Sequence, residues 1–240
     1  FIALNQPYAD RMQEILGCQE DRIMVIPHGI DPEGFPDDPP NLIARRKSRG
    51  DRRVIGYLAR ACPEKGLDQV IQATARLVER EMNVELVAAG ATVSAEEDYL
   101  SSCHALAQEV GIADRFCWRG QIDRGEKINL LKEIDVFAMP TPVPEAKGIP
   151  VIEAMAAGVP VVASASGAFP ELLGIHETSP AGDVHIPGDI TDLARCLEEM
   201  LWNETRAVDC GMAGHGRVKK HYQSHHMAAL HESLYEDVRR

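Results

Sequence analysis

The sequence predicts an α/β protein built on a doubly wound parallel sheet. From Arg53 onward, short runs rich in Val, Leu and Ile alternate with longer helical stretches. Apolar strands of this kind are buried on both faces, so helices must cover both sides of the sheet. The 240 residues are 45% hydrophobic and 26% charged, which supports a sizeable core rather than a disordered or fibrous chain.

Two shorter units precede this alternation. We expect strands at 1–4 and 22–26, a helix at 8–16 that ends at Gly17, a turn-rich connection at 27–40 and a basic helix at 42–49. The units before Arg53 are too short to form a domain of their own. Because the chain opens within a strand and without an initiator Met, we expect that it starts at a fragment boundary.

The main domain is expected to contain six strands, at 54–59, 84–89, 116–118, 135–139, 159–163 and 183–186. Its expected helices lie at 66–79, 95–110, 125–132, 150–157 and 170–173, and a helical tail begins at 189. Ser94 is expected to cap the helix at 95–110, because a serine oxygen accepts hydrogen bonds from the first free amides of a helix.

Chemically distinctive residues follow the strands. They are Arg60, Ala91, Gly120, Glu145 and Ser164. In an open parallel sheet, ligands bind beyond the carboxyl ends of the strands. The sequence therefore places these residues around one crevice.

The segment 144–162 carries the most information about function. Glu145 lies on a Pro-rich loop, and Glu153 lies about one turn inside the helix that follows Gly148 and begins near Pro150. Free amides at the start of such a helix, here those of Gly148 and Ile149, attract phosphate. Carboxylates accept hydrogen bonds from hydroxyls. Phosphate and hydroxyl groups held side by side indicate a nucleotide-sugar.

Four segments together resemble the retaining GT-B glycosyltransferases of family 4. The first is Glu145, seven intervening residues and Glu153, followed by Ala-Met-Ala-Ala-Gly-Val-Pro-Val-Val. The others are Val-Ile-Pro-His-Gly-Ile-Asp at 25–31, Arg60 followed by Pro-Glu-Lys-Gly at 63–66, and the loop at 182–189. Each motif alone is weak evidence, but their order along the chain is specific.

The resemblance implies a Rossmann-like, C-terminal half of a GT-B fold. In that division, residues 1–31 are the end of an N-terminal acceptor domain with the interdomain connection. Residues 32–217 bind the nucleotide-sugar, and residues 218–240 are helices that return toward the acceptor domain. Most of the acceptor domain is then missing, so we expect weak nucleotide binding and no measurable transfer from these residues alone.

The resemblance also implies roles for single residues. Arg60 and Lys65 bind the donor's phosphates and stabilise the leaving group, and Glu145 faces hydroxyls of the donor sugar; these three form the predicted catalytic set. Glu153 contacts the ribose. Against this, Arg60 and Lys65 can be a solvated pair, Glu145 a surface acid, and Glu153 a helix-start glutamate favoured by the helix dipole.

The remaining predicted donor-binding residues are Gly148 and Ile149, through their amides, with Lys147, Gly120, Ile122 and Gly167. Ala146 and Lys147 stand where the family frequently has a small–aromatic pair. This difference leaves the shape of the sugar pocket open. Lys147 binds the donor or extends into solvent, and Gly167 belongs to a donor loop or to an ordinary turn.

Charge and cysteine content limit the partners. The net charge of −12 argues against nucleic acid. Six scattered cysteines without a Cys-x-x-Cys pair are typical of free thiols in a reducing cytoplasm. Membrane association of a full-length protein, at its periphery, stays open. The expected partners are a nucleoside-diphosphate-sugar co-substrate and an acceptor sugar, lipid or small molecule.

No metal or other cofactor is expected, because the resemblance assigns the work of a metal to cationic side chains. His221, His225 and His226 have helical spacing but are expected to be ordinary exposed histidines. A non-catalytic nucleotide- or phosphate-binding module remains an alternative function, because fold alone does not decide function. A dinucleotide-dependent dehydrogenase is disfavoured, since no Gly-x-Gly-x-x-Gly follows the first strand of the main domain.

Overall fold

A computed structural model describes residues 1–38 and 42–239 of the chain. A small parallel pair, β1 (Ile2–Ala3) and β2 (Met24–Val25), comes first. The main sheet contains β3 (Arg53–Leu58), β4 (Val84–Ala89), β5 (Phe116–Trp118), β6 (Val136–Met139), β7 (Val161–Ser164) and β8 (Gly182–His185). These six strands pair in the order β5-β4-β3-β6-β7-β8, and every pairing is parallel. The predicted doubly wound parallel sheet is confirmed.

The strand order reverses between β3 and β6. The chain runs outward from β3 through β4 to β5, and then returns so that β6 pairs with the other side of β3. The connections that leave β3 and β6 at their carboxyl ends therefore diverge to opposite sides. Such a switch point leaves a crevice in which α/β proteins bind ligands.

Helices cover both faces of the sheet. They are α1 (Gln6–Leu16), α2 (Leu42–Arg49), α3 (Leu67–Glu79), α4 (Glu97–Glu109), α5 (Arg124–Glu133), α6 (Ile149–Ala156), α7 (Phe169–Leu173), α8 (Ile190–Trp202), α9 (Glu204–His221) and α10 (Ser224–Val238). Side chains of β3 alternate between two cores: Ile55 and Tyr57 pack with α3, α4 and α8. Val54 and Leu58 pack with α5, α6 and α7. Burial on both faces explains why the strands lack a polar alternation.

Two sequence expectations about helix ends need correction. Ser94 does not cap α4; it lies inside a short 3-10 turn, Ser94–Glu96, and α4 begins at Glu97 without a side-chain cap. Ser94 therefore comes too early to reach the free amides of α4. The predicted C-terminal tail is three helices, because the backbone leaves helical geometry at Asn203 and again at Tyr222 and Gln223.

The connection after β2 is described as far as residue 38; its predicted end at 39–40, and Asn41, lie outside the described residues. Ile30 forms a bridge with Gln223 between α9 and α10. The division at residues 31 and 217 stays a prediction, although α9 continues through that second boundary to His221. Among the described residues, no helix combines the length and apolar character needed to cross a bilayer.

Candidate donor-binding site

The site lies at the carboxyl edge of the sheet, where β3 and β6 diverge. Arg60 and Lys65 follow β3, and Glu145 follows β6 on the loop that leads to α6. The parallel register Ile55–Val136 and Gly56–Phe137 fixes the two strands side by side. Residues that are far apart in sequence are brought together here by the strand order.

Lys65 and Glu145 form an ion pair across this switch point. Lys65 ends the 3-10 turn Pro63–Lys65, which is closed by Gly66 in left-handed conformation (φ +72°). Both side chains are mostly buried, with 23% and 18% of their surface exposed. Burial alone would raise the pKa of Glu145, but the Lys65 ammonium and the backbone amides of Lys147 and Gly148 outweigh it and lower the pKa.

Glu153 is buried in the first turns of α6, with 5% of the residue exposed. Its carboxylate pairs with the Lys127 ammonium on α5. An unpaired carboxylate at this depth would be costly, so Lys127 compensates for its burial. The sequence analysis missed Lys127. Asp123 and Glu126 form a capping box that starts α5, and this pattern could have placed Lys127 in the first turn beside the crevice.

Gly148 precedes α6 with φ +60°. A Cβ there would lie 2.4 Å from Leu172 Cδ1, so the position needs glycine for two reasons. The sequence predicted that α6 begins near Pro150. Ile149 is its first residue, and Pro150 is the second. The amide of Gly148 faces the Glu145 carboxylate. Glu145 therefore lies against part of the N-terminal anion site predicted for phosphate.

Gly167 supports Glu145 from the next loop. A Cβ on Gly167 would lie 2.4 Å from the carbonyl oxygen of Glu145 and 2.5 Å from its amide nitrogen. The adjacent Ala168 amide donates to the Glu145 carbonyl oxygen at 2.8 Å. Gly167 thus touches the backbone of a predicted catalytic residue, which the sequence analysis did not foresee.

Arg60 makes a different contact from the one expected. Its guanidinium donates to a carboxylate oxygen of Glu96 at 2.5 Å, and just over half of its side chain is exposed. Glu96 lies in the 3-10 turn after β4 and was not predicted. Within the described part of the chain, the four predicted charged residues therefore do not form one cluster: Lys65 pairs with Glu145, while Arg60 and Glu153 have their own partners.

The other predicted residues lie around the same edge. Gly120 follows β5, and its carbonyl oxygen accepts from the Gly90 amide at 2.9 Å. Ile122 is half-buried against the core below. Lys147 is exposed. Burial of His28 is the main cause that lowers its pKa, and the positive charge of Lys147 is the second cause. This effect places Lys147 near the connection at 25–31.

Metal-ligating side chains are not grouped within the described ranges, where no set of three or more His, Cys, Asp or Glu is arranged to hold an ion. The six cysteines are free thiols. His225 and His226, considered as possible ligands, pack ring against ring with centroids 4.0 Å apart.

The family model for glycosyl transferases group 1 matches residues 39–217. The chain belongs to this family. It is 31% identical over 212 residues to a GDP-mannose-dependent α-(1-6)-phosphatidylinositol monomannoside mannosyltransferase of Mycobacterium tuberculosis, covering 85% of this chain and 53% of that protein. It is 28% identical over 227 residues to the 2-deoxystreptamine glucosyltransferase of Streptomyces kanamyceticus, covering 93% and 56%.

Solved structures show the same fold as this group 1 glycosyl transferase chain. Anabaena HepE in complex with UDP and glucose superposes with a TM-score of 0.81 at 22% identity, over 99% of this chain and 62% of that one. A glycosyltransferase from Rickettsia africae gives a TM-score of 0.84 at 19% identity, over 100% and 63%. The chain spans about half the length of the curated relatives it matches.

Proposed function

We propose that the chain binds a nucleoside-diphosphate hexose and serves a retaining glycosyltransferase that transfers the hexose to an acceptor hydroxyl. The observation that supports this most directly is the pair of lysine–glutamate contacts beside the start of α6, Lys65–Glu145 and Lys127–Glu153. Lysines and helix amides bind phosphate, and carboxylates bind sugar hydroxyls. Membership of a family of glycosyl transferases supports the same conclusion.

The diphosphate is proposed to bind to Lys65, Arg60 and the amides that begin α6. Lys65 already lies beside these amides through its contact with Glu145. Arg60 is exposed enough to turn from Glu96 toward a bound anion. When the diphosphate replaces Glu145 as the partner of Lys65, the Glu145 carboxylate becomes available to hydroxyls of the sugar.

Glu153 is proposed to accept hydrogen bonds from the ribose. Its burial and its contact with Lys127 fix the direction in which the carboxylate points. Lys127 is therefore a donor-site residue in this proposal, added to those that the sequence indicated. Gly120, Ile122 and Lys147 line the same edge and complete the proposed site.

Transfer with retention requires the acceptor hydroxyl to enter on the face from which the nucleoside diphosphate departs. Negative charge then grows on the departing phosphate. Arg60 and Lys65, with the α6 amides, are positioned to stabilise that charge. We propose that these cationic side chains supply the positive charge that a metal ion supplies in other phosphate-releasing enzymes.

The base, sugar and acceptor are to be identified by experiment. One relative uses GDP-mannose according to its name, and one structural neighbour holds UDP and glucose. We propose an acceptor sugar, lipid or small molecule, and an acceptor-binding domain that completes the cleft. Because the chain spans about half the length of its relatives, nucleotide binding is a more direct test than transfer.

The test is a thermal-shift titration with UDP, GDP and ADP, each alone and as a hexose conjugate. A ligand at about 100 times its Kd stabilises the native state by about 2.7 kcal/mol, which raises the Tm of a chain of this size by about 5–10 °C. Glu153→Ala and Lys65→Ala should abolish the shift. Lys132→Ala, which removes an exposed lysine outside the crevice, should leave it unchanged.

Each alternative has its own outcome. A shift that survives both Glu153→Ala and Lys65→Ala would place the nucleotide elsewhere. Equal shifts with the nucleotide and its conjugate would favour a nucleotide-binding module without a sugar pocket. No shift with any of the six ligands would contradict the proposed function.

A further inference from the structure

The first segment of the chain contacts the loop that carries Glu145. Asn5 Nδ2 donates to the Ala146 carbonyl oxygen at 2.8 Å. Tyr8 Oη donates to the Pro144 carbonyl oxygen at 3.3 Å. These two acceptors are the residues on either side of Glu145. The backbone that positions the Glu145 carboxylate is therefore held at both neighbours by residues of α1 and its cap.

Asn5 has two separate partners. Its side-chain oxygen accepts from the Tyr8 amide at 3.1 Å and caps α1, while its side-chain nitrogen donates to Ala146. The residue is buried, with 2% of its surface exposed. Serine or aspartate can supply the capping oxygen, but an aspartate carboxylate has no N–H to donate and a serine side chain is shorter. The cap and the loop contact can thus be separated by mutation.

The turn at Gly167 makes a second contact with the loop, at Glu145 itself. The Ala168 amide holds the Glu145 carbonyl oxygen at 2.8 Å, and Gly167 leaves no room for the backbone of Glu145 to move closer. The Gln6 amide, in the first turn of α1, donates to Glu171 Oε2 at 2.8 Å. Glu145 therefore lies between two supports, of which Asn5 is the buried member on the α1 side.

We propose that Asn5 is a positioning residue for recognition of the donor sugar. It acts through the Ala146 carbonyl, which sets the backbone and hence the reach of the Glu145 carboxylate toward the sugar. This inference rests on the proposed function, because it assigns the sugar to Glu145. Arg60 and Lys65 belong to the segment after β3 and not to the loop that Asn5 contacts. The sugar-dependent part of binding should therefore depend on Asn5 more strongly than the diphosphate-dependent part.

The test compares Asn5→Ser and Asn5→Asp with the wild-type chain. Isothermal titration gives the Kd of UDP, UDP-glucose, GDP and GDP-mannose, and the readout is the ratio of nucleotide Kd to conjugate Kd. Loss of one buried hydrogen bond to the loop should lower this ratio roughly fivefold to tenfold. The Kd of the nucleotide alone should stay within about twofold, since its own contacts remain.

Asn203→Ser is the matched control. Asn203 also caps a helix through its side-chain oxygen, which accepts from the Arg206 amide at 3.1 Å, but it lies at the start of α9 away from the loop. Its replacement keeps a capping oxygen at the start of a helix, as Asn5→Ser does, and should leave the ratio at the wild-type value. Asn5→Ser adds no charge, so its comparison with Asn5→Asp shows whether the negative charge of the aspartate changes the Kd ratio. If one of the two variants does not fold, the other still measures the loss of the contact with Ala146.

The failures are distinguishable. If the wild-type chain binds none of UDP, GDP and ADP and none of their hexose conjugates, the proposed function fails. If it binds conjugate no better than nucleotide, the sugar role of Glu145 fails and this inference with it. If the wild type favours the conjugate and the Asn5 variants keep that preference, the proposed function stands and the positioning role of Asn5 is overturned.

Discussion

Arg60, Lys65, Glu145 and Glu153, the four charged residues that match the family's motifs, each have an oppositely charged partner. Lys65 contacts Glu145, Arg60 contacts Glu96, and Glu153 contacts Lys127. In a chain with a net charge of −12, these contacts keep the cations directed into the crevice. A diphosphate must exchange with at least one carboxylate. Arg60 is the exposed member of its pair, whereas only 13% of the Glu96 side chain is exposed. Both side chains of the Lys65–Glu145 and Lys127–Glu153 pairs are mostly buried.

The Lys65–Glu145 pair should be visible in the pH dependence of stability. The folded state lowers the pKa of Glu145 below its ordinary value of 4.5. A carboxylate with a depressed pKa adds stability above the unfolded pKa, and this stability is lost as the pH falls through the folded pKa. Lys65→Met removes the cation and leaves the burial. The variant should therefore be less stable than wild type at neutral pH. This gap between their free energies of unfolding should narrow below about pH 4.5.

Urea unfolding of both proteins from about pH 7 down to pH 3.5 measures this gap. Lys132→Met, at an exposed position, controls for the general loss of a lysine, and its gap should not change with pH. In a Glu145→Gln background, the loss of stability caused by Lys65→Met should not change with pH, because the titrating carboxylate is gone. A gap that stays constant across the range would show that the ion pair does not set the protonation of Glu145.

At the scale of elements, α6 is held in place by close packing on α9. A Cβ on Gly211 would lie 2.5 Å from the Gly158 carbonyl oxygen, and one on Gly214 would lie 3.1 Å from Met155 Cγ. Gly216, on the same helix, has no atom within 4 Å of such a Cβ. Glycines on α9 thus let its backbone approach the end of α6, the helix that carries Glu153.

Two glycine-to-alanine substitutions on α9 should have opposite signs. Gly216→Ala should stabilise the chain by about 0.5–1 kcal/mol, because alanine loses less backbone entropy in a helix and meets no neighbour. Gly211→Ala should destabilise it by about 1–3 kcal/mol, because the rigid Gly158 backbone must move. Chemical denaturation measures both. Equal effects of the two substitutions would show that α6 and α9 are not in close contact through Gly211.

At the scale of the whole molecule, the sequence predicted what depends on local pattern. The buried strands β3, β6 and β7 are nearly continuous apolar runs, a pattern typical of parallel strands that are covered on both faces. The placement of Arg60 and Glu145 at one edge followed from their positions after strands of one parallel sheet, but the ion pair of Lys65 with Glu145 was not predicted. The small apolar residues that follow Glu153 indicate a closely packed helix, in which a carboxylate needs a partner.

What the sequence did not predict depends on long-range contacts. Lys127 reaches Glu153 from a different helix, and its polar surroundings on α5 resemble those of any exposed lysine. Glu96 lies in a short turn after β4 and contacts Arg60, which follows β3. Asn5 meets Ala146 only because the first segment packs against the loop after β6. A local motif such as the capping box of α5 can place Lys127 near the crevice, but the contacts themselves depend on how distant segments pack.

The connection after β2 is hydrogen-bonded, next to Gly29, to the segment between α9 and α10. The Ile30 amide donates to the Tyr222 carbonyl oxygen and the Ser224 amide donates to the Ile30 carbonyl oxygen, each at 2.8 Å. A Cβ on Gly29 would lie 2.6 Å from the Gln223 carbonyl oxygen. Gly29→Ala should therefore push the two segments apart and weaken both hydrogen bonds. Hydrogen exchange at Ile30 and Ser224 should accelerate about tenfold, while β3 and β6 keep their protection. Gly216→Ala, the control, should change neither exchange rate. Unchanged exchange at Ile30 in Gly29→Ala would show that close contact at Gly29 does not hold the two segments together.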